Sequence, residues 1–130
     1  MPQLDVISVI VADLGRAMAF YERLGLRFPE DADAAGHGHV EATLQGGLRF
    51  ALDTEDSIRS FDPDWTASAG GHRTTIAFRC DSPEEVDRLH EQLVEAGTPS
   101  HKAPWDAFWG QRYAQLQDPD GVPVDLYAEL

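Results

Sequence analysis

Three carboxylates, a short histidine row and an aromatic-rich stretch are where this chain of 130 residues carries side chains able to do chemistry. Glu41, Asp53 and Asp125 fall on alternating apolar and polar stretches. A carboxylate in a partly apolar groove has its pKa raised toward working pH, where it can act as a general base or pair with a cationic ligand. His37, His39 and Glu41 share one parity, and such a row on a strand can chelate an ion. Gly36 and Gly38 interrupt it, so a solvated loop or frayed strand end is the expected setting. Pro104 to Gly110 sets Trp105, Phe108 and Trp109 close together in what reads as a loop. Large aromatics are costly to leave wet. They either plug an open end or form a subunit contact, or they make a stacking wall for a planar or cationic ligand, with Trp65 opposing them. Arg112 is placed to anchor a carboxylate, either Asp125 or an anion on a ligand, and Tyr113 follows it directly.

Other reactive residue types read as structural. Cys80 alternates with Ile76 and Phe78 and is expected to be a small core residue rather than a nucleophile. His72 and His101 read as surface residues, and His90 as the rim of a helix stripe. Asp118-Pro119-Asp120-Gly121 is a turn signal. No positioned histidine, nucleophile pair or oxyanion motif stands out.

Composition narrows the partners. Ten Lys plus Arg against 23 Asp plus Glu leave a formal charge of −13. That field repels phosphate backbones and anionic headgroups, so nucleic acid and membrane surfaces are not expected partners, and cationic or neutral small ligands are favoured. One cysteine excludes an internal disulfide framework. No apolar run approaches a membrane span and the start shows no basic-then-apolar pattern, so a soluble cytoplasmic protein is expected.

The positioning elements repeat. Val6 to Val11 is a strand pattern ending at Asp13, which caps a helix from Leu14 to about Leu24, stopped by Gly25. Ile76, Phe78 and Cys80 begin a second pass, followed by Ser82-Pro83-Glu84-Glu85 as cap, first-turn proline and capping box, and a helix stopped by Gly97. Strand-like stretches follow each helix: Val40 to Gln45 and Leu48 to Asp53, then Tyr113 to Gln117 and Val122 to Tyr127. Val6 aligns with Thr75 and Ala51 with Asp125, offsets of 69 and 74. A unit of strand, helix and three strands is thus expected twice, as module one over about 1–53, a crossover over about 54–71 and module two over about 72–130 of a single domain.

The opening strand with Asp13-Leu14 and Phe20-Tyr21-Glu22-Arg23-Leu24-Gly25, and Trp109-Gly110-Gln111-Arg112 with Asp118-Pro119-Asp120-Gly121 near the end, resemble the glyoxalase, bleomycin-resistance and extradiol-dioxygenase superfamily, also called vicinal oxygen chelate. The resemblance implies an α+β fold of two βαβββ modules whose sheets curl into a cup, usually completed by homodimerisation. Many such proteins hold a divalent metal, and the drug-binding ones do not. The four positions that carry ligands in the metal-binding relatives fall on Val6, Ala51, Thr75 and Asp125 here. A transition ion needs about three donors from imidazole, carboxylate or thiolate, so neither a metal nor another cofactor is expected. Strand parity assigns Glu41, Asp53, Tyr113 and Asp125 to the face lining the cup, and Val9, Val11, Leu52, Val124 and Leu126 to the face under the helices.

Two functions follow from this reading. One is metal-independent binding or sequestration of a small aromatic or cationic compound, as in antibiotic resistance, by Trp105, Trp109, Arg112, Tyr113, Asp53, Asp125, Glu41 and Trp65. The alternative is an enzyme of the same superfamily, a lyase, isomerase or dioxygenase with a relocated metal site or a carboxylate general base.

Overall fold

The β-branched run Val6–Val11 forms strand β1 in a computed structural model that describes residues 1–68 and 71–130. Asp13 ends it, accepting a hydrogen bond from the Arg16 amide as N-cap of helix α1, Leu14–Arg23. Gly25, at φ +92°, turns the chain out of that helix in the left-handed conformation that glycine takes without strain. Strands β2, His39–Thr43, and β3, Arg49–Thr54, form a hairpin, and the short helix α2, Glu55–Arg59, occupies the expected crossover. The crossover as expected also includes residues 69 and 70, which lie outside the described residues.

The second pass gives β4, Ile76–Arg79; α3, Pro83–Glu95; β5, Ser100–Ala107; β6, Gln111–Gln117; and β7, Pro123–Glu129. Ser82 caps α3 through the Glu85 amide, while the Glu85 side chain reaches back to the Asp81 amide, one residue before the usual capping-box partner. The chain divides into two units, Met1–Ala67 and Ser68–Leu130. This is an α+β fold with one sheet in each unit, ordered β1-β3-β2 and β4-β7-β6-β5.

Pairing confirms the repeat at residue level. β1 runs parallel to β3 with Ser8 against Ala51, and β4 runs parallel to β7 with Ala77 against Asp125. Ser8 to Ala77 is again an offset of 69, and Ala51 to Asp125 one of 74. The second unit is the expected βαβββ. Among the described residues the first lacks one strand, because Pro29 to Gly36 folds into successive turns closed by the Ala32, Ala34 and Gly36 amides. That segment, Asp31-Ala32-Asp33-Ala34-Ala35, holds no β-branched or aromatic residue to favour a strand.

The helix-facing parity is the core of each unit. Val11, Val40, Leu52 and Tyr21 are fully buried in the first, and Val86, Leu93, Leu116, Val124 and Leu126 in the second. Each such side chain contributes about 1.5–3 kcal/mol on burial. Cys80 is buried, and desolvation pushes its thiol up to about 11, the state of a packed residue. Asp118 closes the turn before β7, its Oδ1 accepting from the Asp120 and Val122 amides at 2.8 and 2.9 Å. The other face of each sheet carries the polar residues.

Candidate functional site

In the first unit the open face of the sheet carries a continuous polar chain. Cross-strand register sets His39 opposite Asp53 and Glu41 opposite Ala51. His39 Nδ1 lies 2.6 Å from Asp53 Oδ1, and its Nε2 lies 2.9 Å from Glu41 Oε2. Arg49 continues the chain, donating to Glu41 at 2.8 Å and to Asp5 at 2.5 Å, and the Ser8 hydroxyl donates to Asp53 Oδ2. A carboxylate at each ring nitrogen favours the protonated imidazole: hydrogen bonds to Asp53 and then Glu41 raise its pKa. Glu41 is driven the other way by His39 and Arg49. His39, Glu41 and Asp31 line a shallow cleft of about 470 Å³.

The expected loop at His39 is therefore a strand, for a local reason. Gly38 has φ +74°, donates its amide to Asp33 Oδ1 and accepts from the Thr54 amide. A Cβ there would lie 2.3 Å from Thr54 Oγ1. Only glycine permits this approach of the two chains, so Gly38 anchors the strand end rather than fraying it.

In the second unit the aromatic residues gather on the open face around Tyr113. Trp105 lies 5.5 Å and Trp109 5.4 Å from it between ring centroids, Tyr127 stacks on it at 6.3 Å, and the two indoles meet edge to face at 6.1 Å. Trp105 is on β5, not in a loop; the turn is Phe108-Trp109-Gly110. Register shifts along β5 explain why. Lys102 faces Gln115 and Trp105 faces Tyr113, so three residues on β5 span two on β6. Such a bulge resets parity and brings both side chains to one face. Lys102 Nζ sits 3.8 Å from the Trp105 ring centroid, a cation already covering one indole face. Phe108 is exposed and Trp109 half-exposed, its indole N–H donating to Gln111.

Asp125 lies beneath this array. It is only 5 % exposed; its Oδ2 accepts from the Tyr113 hydroxyl at 2.5 Å, and its Oδ1 has no hydrogen-bond partner among the described residues. Burial raises its pKa, against the lowering effects of the Tyr113 hydrogen bond and of His101. Tyr113 is pushed up to about 12 by burial and by the Asp125 carboxylate. Asp125, Thr75, His72, His101 and Gln115 line a cleft of about 600 Å³, within the usual volume of small-molecule sites.

Arg112 was expected to face Asp125 or a ligand anion, yet it lies on the opposite parity of β6 and grips Asp87 of α3 at 2.8 and 3.2 Å and Asp106 at 3.2 Å. Tyr113 is the partner of Asp125 instead. Trp65 belongs to the first unit, where its carbonyl accepts from Arg59 and the Arg59 guanidinium lies 5.2 Å from its ring. The sequence expectation weighs His39 only as a possible metal ligand in a loop, although counting outward from the Gly46-Gly47 turn sets it against Asp53. Glu41 and Asp53 are brought together through it.

The four positions that bear metal ligands in relatives do not fit an ion here. Val6 and Ala51 have no donor, Thr75 offers only a hydroxyl, and Asp125 is the one strong ligand. Among the described residues no three His, Cys, Asp or Glu side chains gather as a metal cage requires. No helix of the described residues is long and apolar enough to cross a membrane.

The paired β-α-β units match known proteins. The model of the Glyoxalase/Bleomycin resistance protein/Dioxygenase superfamily matches residues 3–126. Among solved structures, a glyoxalase/bleomycin resistance protein/dioxygenase family enzyme from Burkholderia phytofirmans PsJN superposes with a TM-score of 0.83 at 19 % identity, covering 99 % of this chain and 100 % of that one. A glyoxalase-related enzyme from Fulvimarina pelagi gives 0.80 at 20 % identity over 99 % and 89 %, and hypothetical protein SA1046 from S. aureus 0.79 at 20 % over 98 % and 94 %. No curated protein matches. The chain belongs to the Glyoxalase/Bleomycin resistance protein/Dioxygenase superfamily. At these identities the solved structures establish fold, and activity has to be argued from the chain's own residues.

Proposed function

We propose that the protein binds a small aromatic or cationic compound without a metal, in the manner of the drug-sequestering branch of its superfamily. The observation that carries this reading is the array of Trp105, Trp109, Tyr113 and Tyr127 on an open sheet face, joined by the Tyr113 hydroxyl to Asp125. Such rings cover a flat ligand at small entropic cost, and the chain's charge of −13 favours a cation. The donor-poor set Val6, Ala51, Thr75 and Asp125 supports metal independence. Titration of intrinsic tryptophan fluorescence with flat cationic aromatics tests the reading: saturable quenching, lost in Trp105→Phe and Trp109→Phe, is expected, and no quenching by any of them removes its basis.

The His39 chain favours a second reading, a metal-free acid–base enzyme. A histidine whose protonated form Asp53 and Glu41 favour suits the role of proton donor rather than base, and it lines a cleft. Turnover of an enolisable or epoxide substrate that disappears in His39→Gln and falls as His39 deprotonates would establish it.

A further inference from the structure

The cleft of the second unit ends on an incomplete hydrogen-bond pair. Asp125 is more than nine-tenths buried, one oxygen is taken by Tyr113, and the other has no donor among the described residues. A buried carboxylate oxygen left without a donor is costly, and native proteins keep such a group where something else completes it. The side chains lining this cleft say what can do so. Asp125 is the only carboxylate among them, no Lys or Arg lies there, and His72 and His101 are the side chains that can carry positive charge. Among the described residues these three do not gather as a metal cage requires, whereas one open carboxylate oxygen suits one N–H of an organic cation.

We propose that this cleft takes a protonated aryl amine, with its ammonium N–H received by Asp125 Oδ1 and its ring against Tyr113. The inference rests on the small-molecule reading above and narrows it to one chemical class and one anchoring atom. A single N–H is specified because Tyr113 already occupies Oδ2, which denies a two-pronged amidinium its second acceptor. Oδ1 is closed to bulk water, so the amine enters by displacing a side chain of the cleft wall, and Gln115, opposite Asp125 in the β6–β7 register, is the neighbour placed to move.

The probe is 2-phenylethylamine, with 2-phenylethanol and phenylacetate as neutral and anionic counterparts, titrated at millimolar concentration into the full chain. Carbon-detected NMR of the Asp125 carboxyl and the Gln115 side-chain amide signal report the site, and tryptophan fluorescence reports the ring array. The amine is expected to shift both NMR signals, to bind at least tenfold more tightly than either counterpart, and to lose at least tenfold in affinity in Asp125→Asn. The wild-type carboxyl shift decides the matter even where the variant folds poorly. An amine that quenches tryptophan but leaves the Asp125 carboxyl unmoved overturns this inference and leaves the wider reading standing. Equal binding of the alcohol, or unchanged affinity in Asp125→Asn, overturns it as well, and an amine that neither binds nor quenches counts against both.

Discussion

Tyr113 and Asp125 lie twelve positions apart and meet across β6 and β7, the phenol donating to Oδ2 at 2.5 Å. The bond runs diagonally, since Tyr113 pairs with Tyr127 and Gln115 with Asp125. It ties the aromatic array to a buried carboxylate, so ring position and charge state at this site are physically coupled.

Removing the phenol hydroxyl in Tyr113→Phe deprives Asp125 of its one side-chain donor among the described residues. Near neutral pH this is expected to cost about 1–3 kcal/mol, the penalty for an unmatched buried acceptor. The folded pKa of Asp125 already stands above 3.8. A raised carboxyl contributes stability below its unfolded pKa and loses it as pH rises through the folded value. The variant's deficit should therefore be largest near neutrality and shrink in acid, which urea denaturation across that range measures. A deficit that is constant with pH would contradict the account.

His39 provides the opposite window. Hydrogen bonds to Asp53 and then Glu41 raise its folded pKa above 6.5, so its contribution is full below 6.5 and fades as pH rises through the folded value. Glu41, lowered by His39 and Arg49, contributes above 4.5 and loses its share as pH falls through its folded value. These side chains are part-exposed, so each effect is expected below about 1 kcal/mol. In His39→Gln the decline of stability as pH rises above 6.5 should flatten, as read by denaturation midpoints.

Gly38→Ala tests the anchor of β2. The left-handed φ and the 2.3 Å approach to Thr54 Oγ1 act together, and a cost of about 1–3 kcal/mol is expected. Gly36→Ala is the control: it shares the positive φ but meets open space, so it should cost less. Equal losses would show that backbone conformation alone sets the requirement.

Arg112→Ala should loosen α3 from β6 and leave ligand affinity alone, since the guanidinium is spent on Asp87 and Asp106. Part-exposed pairs of this kind give about 1 kcal/mol or less. Lys102→Ala should do the reverse, freeing the Trp105 face for a competing cation and tightening binding of cationic aromatics severalfold with little change in stability. Parallel denaturation and fluorescence titration separate the two.

The helices and their caps were legible because Asp13, Ser82, Gly25 and Gly97 punctuate them by local chemistry. The repeat was legible because parity and spacing survive in both halves. What escaped the sequence depended on departures from strict alternation. The bulges that turn Trp105 toward Tyr113 reset the parity of β5, and Arg112 lies on the helix-facing side of β6, where Asp87 of α3 and Asp106 of β5 take its guanidinium. His39 was hidden by its glycine neighbours, one of which tightens the strand end because of a contact with Thr54 that no local pattern encodes. The third strand expected after α1 was absent because acidic and alanine residues there close turns on themselves.

If the protein binds its ligand without an ion, as proposed, elemental analysis of the protein purified in the absence of chelator, repeated after incubation with zinc, nickel, manganese and ferrous iron, should find far less than one equivalent of any of them. One tightly held equivalent that is lost in Asp125→Ala would overturn the metal-free reading.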